Sequence, residues 1–214
     1  LRAKDCLKKA TNKSFERRYR RPWQASMPAR RDFAQLAVSR PIHILEFTMI
    51  IRNETISDVE AISKVTIAAF QNLAISNHTE QFIINALRDA NALTISLVAE
   101  VDGKVVGHIA FSPIEISDGS LNWYGLGPIS VLPKYQKQGI GKSLILKGLS
   151  LLKDMGGQGC ALVGDSNYYK RFGFHNFPEL IHEGIPQEVF LALPFTEKVP
   201  QGIVVFHKGF LANA

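Results

Sequence analysis

The chain is poor in the features that would assign it to a special class. It has two cysteines in 214 residues, Cys6 and Cys160, too few and too far apart for a disulfide framework. No Cys/His group has metal-ligand spacing, so no metal is expected. No apolar run approaches the ~20 residues of a membrane span. Repeats and low-complexity tracts are missing. What is left is an ordinary globular composition, 46% hydrophobic and 21% charged, enough for one good-sized core. A reduced, cytoplasmic setting without a membrane is the expectation.

The formal net charge of +6 is unevenly spread. Residues 1–48 hold twelve Lys/Arg against four acids, a surplus of +8, which leaves −2 for the rest. The basicity therefore belongs to the N-terminal segment and says nothing of the ligand of the remainder. Three readings of that segment stay open: a stretch outside the natural protein, an Arg-rich targeting segment, or an arm for nucleic acid, membrane or a partner subunit. Pro22, Pro28 and Pro41 argue against one continuous helix there. The main domain is expected to run from Met49 to residue 214.

Within it, Ile50 to Glu54 alternates like a strand. Ser57-Asp58-Val59-Glu60 fits a capping box opening a helix with Val59, Ile62, Val65, Ile67 and Phe70 on its apolar side. A second helix is expected from about Glu80 to Asn91. Asp102-Gly103 is a hairpin signal joining strands Thr94–Val101 and Lys104–Ile114, the second ended by Pro113. Leu121 to Leu132 reads as a strand bulged near Gly127-Pro128, because proline cannot donate to a ladder and glycine in a strand often marks a bulge. A long helix, Ile140 to Met155, stops at Gly156-Gly157, with Gly148 available for close approach to a sheet. Cys160–Val163 and two late strands follow. Mixed strands and helices around an antiparallel hairpin indicate α/β or α+β rather than a regular doubly wound sheet.

The stretch that carries chemistry is Pro128 to Ser143. An apolar strand runs into a basic, glycine-containing loop and then a helix. Free N–H groups at the positive end of a helix suit a phosphate or pyrophosphate. Gly139 and Gly141 allow close backbone approach, and Lys134, Lys137 and Lys142 add positive charge. Gly141-Lys142-Ser143 ends like a P-loop, but the first glycine of G-x-x-x-x-G-K-[ST] falls on Gln136. Asp165, after the apolar run Ala161–Val163, is discounted as a Walker B acid for the same reason.

Gln136-Lys137-Gln138-Gly139-Ile140-Gly141 fits [QR]-x-x-G-x-[GA], and Tyr169-Lys170-Arg171-Phe172-Gly173-Phe174 fits Y-x-x-x-G-F. In that order, and with Gly127-Pro128 and Gly164–Tyr169 beside them, these motifs resemble the GNAT superfamily of acetyl-CoA-dependent N-acetyltransferases, in particular its bacterial YhbS-like members. The resemblance covers about Met49 to Phe210. It implies a GNAT fold: a mixed central sheet splayed at a β-bulge, flanked by helices on both faces. It implies acetyl-CoA as co-substrate and a small-molecule or peptide amine as acceptor. By position, Ile129, Ser130 and Val131 correspond to the strand that holds the pantetheine arm, with the Val131 N–H polarising the acetyl carbonyl. Gln136, Lys137, Gln138, Gly139, Ile140, Gly141, Lys142 and Ser143 correspond to the pyrophosphate loop, and Asn167 to a further coenzyme contact. Tyr169 corresponds to the acid that protonates the thiolate; Gly173 fixes the register, since Tyr168 is one residue out. Leu162 stands where many relatives carry asparagine, which leaves the contacts of Asp165 and Asn167 open.

Acetyl transfer to an amine also needs a proton acceptor. Glu100, His108 and Glu115 lie on or near the hairpin, with Glu100 the candidate base and proton loss to a water chain an equal alternative. A homodimer is left open. The rival readings are a P-loop-like nucleotide-binding protein and a non-catalytic acyl-CoA-binding module with a basic nucleic-acid-binding arm.

Overall fold

The computed structural model describes residues 48–73 and 76–213. The basic N-terminal segment, and with it the expected nucleic-acid arm, lies outside the described residues, apart from Thr48. The elements are β1 (Met49–Asn53), α1 (Val59–Phe70), α2 (Glu80–Asp89), β2 (Ile95–Val101), β3 (Lys104–Ile116), β4 (Trp123–Val131), α3 (Ile140–Asp154), β5 (Gly159–Val163), α4 (Ser166–Tyr169), β6 (Leu180–Ile181), β7 (Phe190–Pro194) and β8 (Gly202–Phe206). The sheet order is β1-β2-β3-β4-β5-β7, with β8 on the far end of β3 and β6 paired to β8. Only β4–β5 and β6–β8 are parallel, so the sheet is mixed.

Helices cover both faces. α3 lies on the face that carries Leu97, Ala99, Ile109 and Phe111, the main apolar core. It seats closely because Gly148 has no side chain: a Cβ there would stand 2.2 Å from the Phe111 ring. α1 and α2 cover the opposite face, where Ile62 and Ile84 meet Val98. Alternation along each strand makes this division, since successive side chains point to opposite faces. The Asp102-Gly103 turn has φ of 50° and 75°, as a tight type I′ hairpin requires.

Four expectations are corrected. β3 does not stop at Pro113. Phe111 C=O accepts from Thr94 on the β2 side, and Ser117 N–H donates to Ile203 of β8. Residues 111, 113 and 117 therefore address the same side, and Pro113 sits where β2 has ended and β8 begins. Its missing N–H faces that gap, so the strand tolerates it. The cap of α1 is Thr55 with Asp58, not Ser57 with Glu60. The N–H and hydroxyl of Thr55 donate to the Asp58 carboxylate at 2.7 and 2.8 Å, and Arg52 grips the same carboxylate, while Glu60 pairs with Lys64 in solvent. Ile67 is half exposed and Thr66 is buried in its place. Met155 is exposed beyond the end of α3. The short β6 has no counterpart among the expected strands.

Candidate active site

β4 is the strand that departs from its neighbours. Its pairing with β3 shifts register between Ile109 and Phe111, which puts Gly127 and Pro128 opposite Ala110 as a bulge. On its other side β5 pairs with β4 only over Trp123–Gly125. Beyond Gly125 the two parallel strands separate, and an opening forms at the C-terminal end of β4.

The backbone facing that opening can be identified from register. Leu132 N–H donates to Val106 C=O at 2.9 Å, and Val131 and Ile129 stand opposite Gly107 and Ile109. Bonded and non-bonded pairs alternate in an antiparallel ladder. Ser130 and Leu132 thus spend their amides on β3, while Ile129 and Val131 turn theirs toward the opening. The Val131 carbonyl receives the side-chain amide of Gln136 at 3.0 Å. Gln136 in this way ties the loop back to the end of β4.

The loop then enters α3. Lys137 and Gly139 both have positive φ, 61° and 87°, and Gly139 is the N-cap with no side-chain partner. The Gln138 amide bonds the Lys134 carbonyl at 3.0 Å, so both glutamines shape the loop from within. The first N–H groups of a fifteen-residue helix are left pointing out of it, at the positive end of its dipole. A Cβ at Gly141 would come 3.1 Å from the Tyr168 hydroxyl. Tyr168 therefore reaches the phosphate loop, a contact that sequence reasoning missed, and Arg171 stacks on its ring at 4.5 Å.

Tyr169 follows β5 on α4, capped by Asp165, whose carboxylate accepts from the Asn167 N–H at 2.9 Å. The Tyr169 ring is buried, edge-on to Tyr168 (5.0 Å) and to Phe174 (5.9 Å). Burial, then the neighbouring Tyr168, Cys160 and Asp165, push its phenol above the usual tyrosine range. It stays protonated throughout the neutral range, as a proton donor must.

The candidate base Glu100 lies near the C-terminal end of β2, separated from β4 by β3, and Arg52 grips it at 2.8 Å while also binding Asp58. Glu115 is on the far end of β3, paired with β8. His108, in contrast, stands directly opposite Ser130 of the splayed strand.

The Acetyltransferase (GNAT) family model matches residues 61–174, more than half of the chain. The chain belongs to the GNAT acetyltransferase family. It is 35% identical over 127 residues to the uncharacterized N-acetyltransferase YhbS of Escherichia coli K12, covering 59% of this chain and 73% of that one. Among solved structures, a GNAT family acetyltransferase from Brucella melitensis, in complex with acetyl-CoA, is 48% identical with a TM-score of 0.69, over 77% of this chain and 99% of that one. YhbS from Escherichia coli, in complex with CoA, is 28% identical with a TM-score of 0.72, over 78% and 94%. No helix among the described residues of this acetyltransferase is long and apolar enough to cross a membrane.

Proposed function

We propose that the protein moves the acetyl group of acetyl-CoA to a primary amine of a small molecule or peptide, by direct attack through a tetrahedral intermediate. The observation that carries this reading is the opening between β4 and β5, which the outward amides of Ile129 and Val131 face. The free end of α3 follows β4 across the loop of residues 132–139. The pantetheine arm bonds to the outward backbone of β4. The pyrophosphate sits on the N–H groups from Gln138 to Lys142. The Val131 N–H donates to the acetyl oxygen as it becomes an oxyanion. Nitrogen–carbon bond formation is followed by carbon–sulfur cleavage; Tyr169 gives its proton to the departing thiolate, and the proton that the acetylated nitrogen loses returns through water to the phenolate. Asn167, exposed on α4, lies beside this acid and is retained as a coenzyme contact.

Support comes from the complexes of the Brucella relative with acetyl-CoA and of YhbS with CoA. A cytoplasmic setting fits the free, buried Cys160 thiol. Residues 49–214 form the catalytic domain, so a chain starting at Met49 is expected to bind acetyl-CoA as the full chain does, read by thermal shift.

The test is an amine panel, small and peptidic, monitored by free coenzyme A thiol. Release with at least one amine, and N-acetyl product by mass, is the expected result. Acetyl-CoA binding without release on any amine would leave a non-catalytic acyl-CoA-binding module instead. Stabilisation by ATP exceeding that by acetyl-CoA would favour the nucleotide-binding alternative.

A further inference from the structure

The α1/α2 face of the sheet carries a connected polar group that the transfer step leaves unused. Glu54, just after β1, receives Arg88 of α2 in a two-pronged ion pair, Nε at 2.8 Å and an Nη at 2.9 Å. The Ser96 hydroxyl of β2 makes a short hydrogen bond to the same carboxylate. Ser96 Oγ also lies 2.8 Å from His108 Nε2 on β3. His108 is fully buried, and its Nδ1 has no hydrogen-bond partner among the described residues.

These contacts fix where the protons sit. A carboxylate held by an arginine only accepts, so the Ser96 hydroxyl donates to Glu54. The lone pair of Ser96 then accepts from His108, which puts the imidazole proton on Nε2. Nδ1 is left as a bare, buried acceptor. A neutral imidazole whose N–H is directed through a serine hydroxyl to a carboxylate, and whose other nitrogen is open, is oriented to take a proton. Register sets His108 opposite Ser130, between the two residues whose amides face the acetyl site.

The opposite end of the chain of contacts reaches solvent. Glu54, Arg88 and Ser96 line a cavity of about 470 Å³, together with Asn53, Asn91 and Thr94. We propose that His108, Ser96 and Glu54 form the exit path for the proton that the acceptor amine loses on acetylation. This rests on the acetyl-transfer reading above.

The step balances. The ammonium gives one proton, through a water, to His108 Nδ1. The Nε2 proton passes to Ser96, the hydroxyl proton passes to Glu54, and Glu54 releases one proton to water in the cavity. The ring is then left protonated at Nδ1; Ser96 reorients, and proton exchange with solvent between turnovers returns the ring to its Nε2-protonated form, so the net product is one proton per acetyl group moved. The charged groups facing the imidazole are Glu54 and Arg88; α1 and β4 contribute Thr66 and Ser130, neither ionisable. Burial first, and then Arg88, hold His108 below the usual histidine range, while Glu54 opposes them, so the ring starts neutral at pH 7.

Two measurements test the path. Nitrogen-15 NMR of histidine-labelled protein reads the tautomer without any activity. The expected signature is a neutral ring protonated at Nε2 at pH 7; a ring protonated at Nδ1, or charged, overturns the proposal. Kinetics read the function. His108→Gln should keep its acetyl-CoA thermal shift while kcat/KM falls by about 10²–10⁴-fold for strongly basic amines. The deficit should shrink for amines whose pKa lies below the assay pH, since these arrive without the proton. Ser96→Ala interrupts the path with one atom removed and should give the same dependence on amine pKa, which covers a His108 variant that does not fold. An equal deficit for weakly and strongly basic amines in a folded variant means that the residues only support structure, and overturns the proposal. A wild-type protein that binds acetyl-CoA but releases no thiol with any amine, while showing the Nε2 tautomer, overturns the acetyl-transfer reading, and the proton path with it.

Discussion

The two faces of the sheet solve different problems with different materials. On the α3 face the side chains are apolar, and the polar work at the gap in the sheet and at the start of α3 falls to backbone: the in-plane amides of Ile129 and Val131 and the free first turn of α3. On the α1/α2 face the backbone is spent on the ladder, and the polar work falls to side chains, with Glu54, Arg88, Ser96, His108, Thr66 and Ser130 among the aliphatic contacts. Backbone sites demand particular conformations and hence particular residues, glycine above all. Side-chain sites demand only that the right groups converge. The difference explains both how each face is expected to fail and how visible each was in the sequence.

The largest effect is expected where backbone conformation is the site. Gly139 has φ of 87°, a region closed to bulky residues, and a side chain at Gly141 meets the Tyr168 hydroxyl. Changing both to leucine should abolish the rise in Tm that acetyl-CoA produces in the wild type, about 2.7 kcal/mol of linkage at a hundredfold excess over Kd. Unchanged stabilisation by acetyl-CoA would sever the loop from the cofactor and remove the backbone half of the comparison.

Tyr169→Phe comes next. It removes one oxygen from a packed ring, so Tm and acetyl-CoA affinity should hold while kcat falls by about 10²–10⁴-fold. Tyr168→Phe, which touches the loop rather than the thiolate, should act through KM for acetyl-CoA and leave kcat nearly intact. An inversion of the two phenotypes would move the acid to Tyr168 and the register by one.

Legibility followed the same division. Gly139, Gly141 and Gly173 in their loops, and Gly127-Pro128 in β4, are local signatures readable in a window of six residues, and the opening of the sheet came with them. Tyr169 was singled out by its spacing to Gly173. Arg88, Ser96 and His108 come from three elements and Glu54 from the residue after β1, up to 54 positions apart, and no local pattern joins them. Composition could suggest Glu100 as a base, but not that Arg52 would grip its carboxylate. Pro113 was read as a strand end because its missing N–H was visible and the gap between β2 and β8 was not. The cap of α1 was misplaced by two residues, because Ser57-x-x-Glu60 and Thr55-x-x-Asp58 both fit the pattern and only Arg52 distinguishes them.

On the side-chain face, Arg88→Leu tests what a partner is worth. Both members of the Arg88–Glu54 pair are largely buried, at 19% and 16% exposed. Removing the arginine leaves a carboxylate with less compensation, at a cost of about 3 kcal/mol, read by urea denaturation. The pH dependence has a definite sign. Burial of Glu54 works against ionisation, yet the contacts from His108, Arg88 and Ser96 prevail and take its pKa from the usual 4.5 down to about 2. A depressed carboxylate stabilises the fold above 4.5 and loses that contribution as pH falls toward 2. His108, held below its ordinary 6.5 chiefly by burial, adds to the loss: the unfolded chain takes up a proton below 6.5 that the folded imidazole resists. Wild-type stability should therefore decline from about pH 6.5 downward and steepen below 4.5, and Arg88→Leu should flatten the lower part. A profile flat from pH 7 to 4 would mean that these groups are as well solvated folded as unfolded.

The smallest effect is expected at Thr66→Val, where α1 touches β4. Thr66 is fully buried on α1, and its hydroxyl lies 3.2 Å from the Ser130 hydroxyl on the splayed strand. The bond is long and between neutral groups, so it contributes at the lower end of the usual range, about 1 kcal/mol or less. Valine keeps the β-branched shape, and α1 already holds Val65 and Ile62, so helix and packing should be undisturbed. What changes is that the Ser130 hydroxyl loses its partner beside the outward amides of Ile129 and Val131. A loss near 1 kcal/mol in denaturation, with kcat and KM within about twofold of wild type, would mean that α1 only covers the site. A fall in kcat well beyond that, at the same small cost in stability, would make the hydroxyl pair part of the water-lined approach to His108, and the division of labour between the two faces would then run through β4 itself.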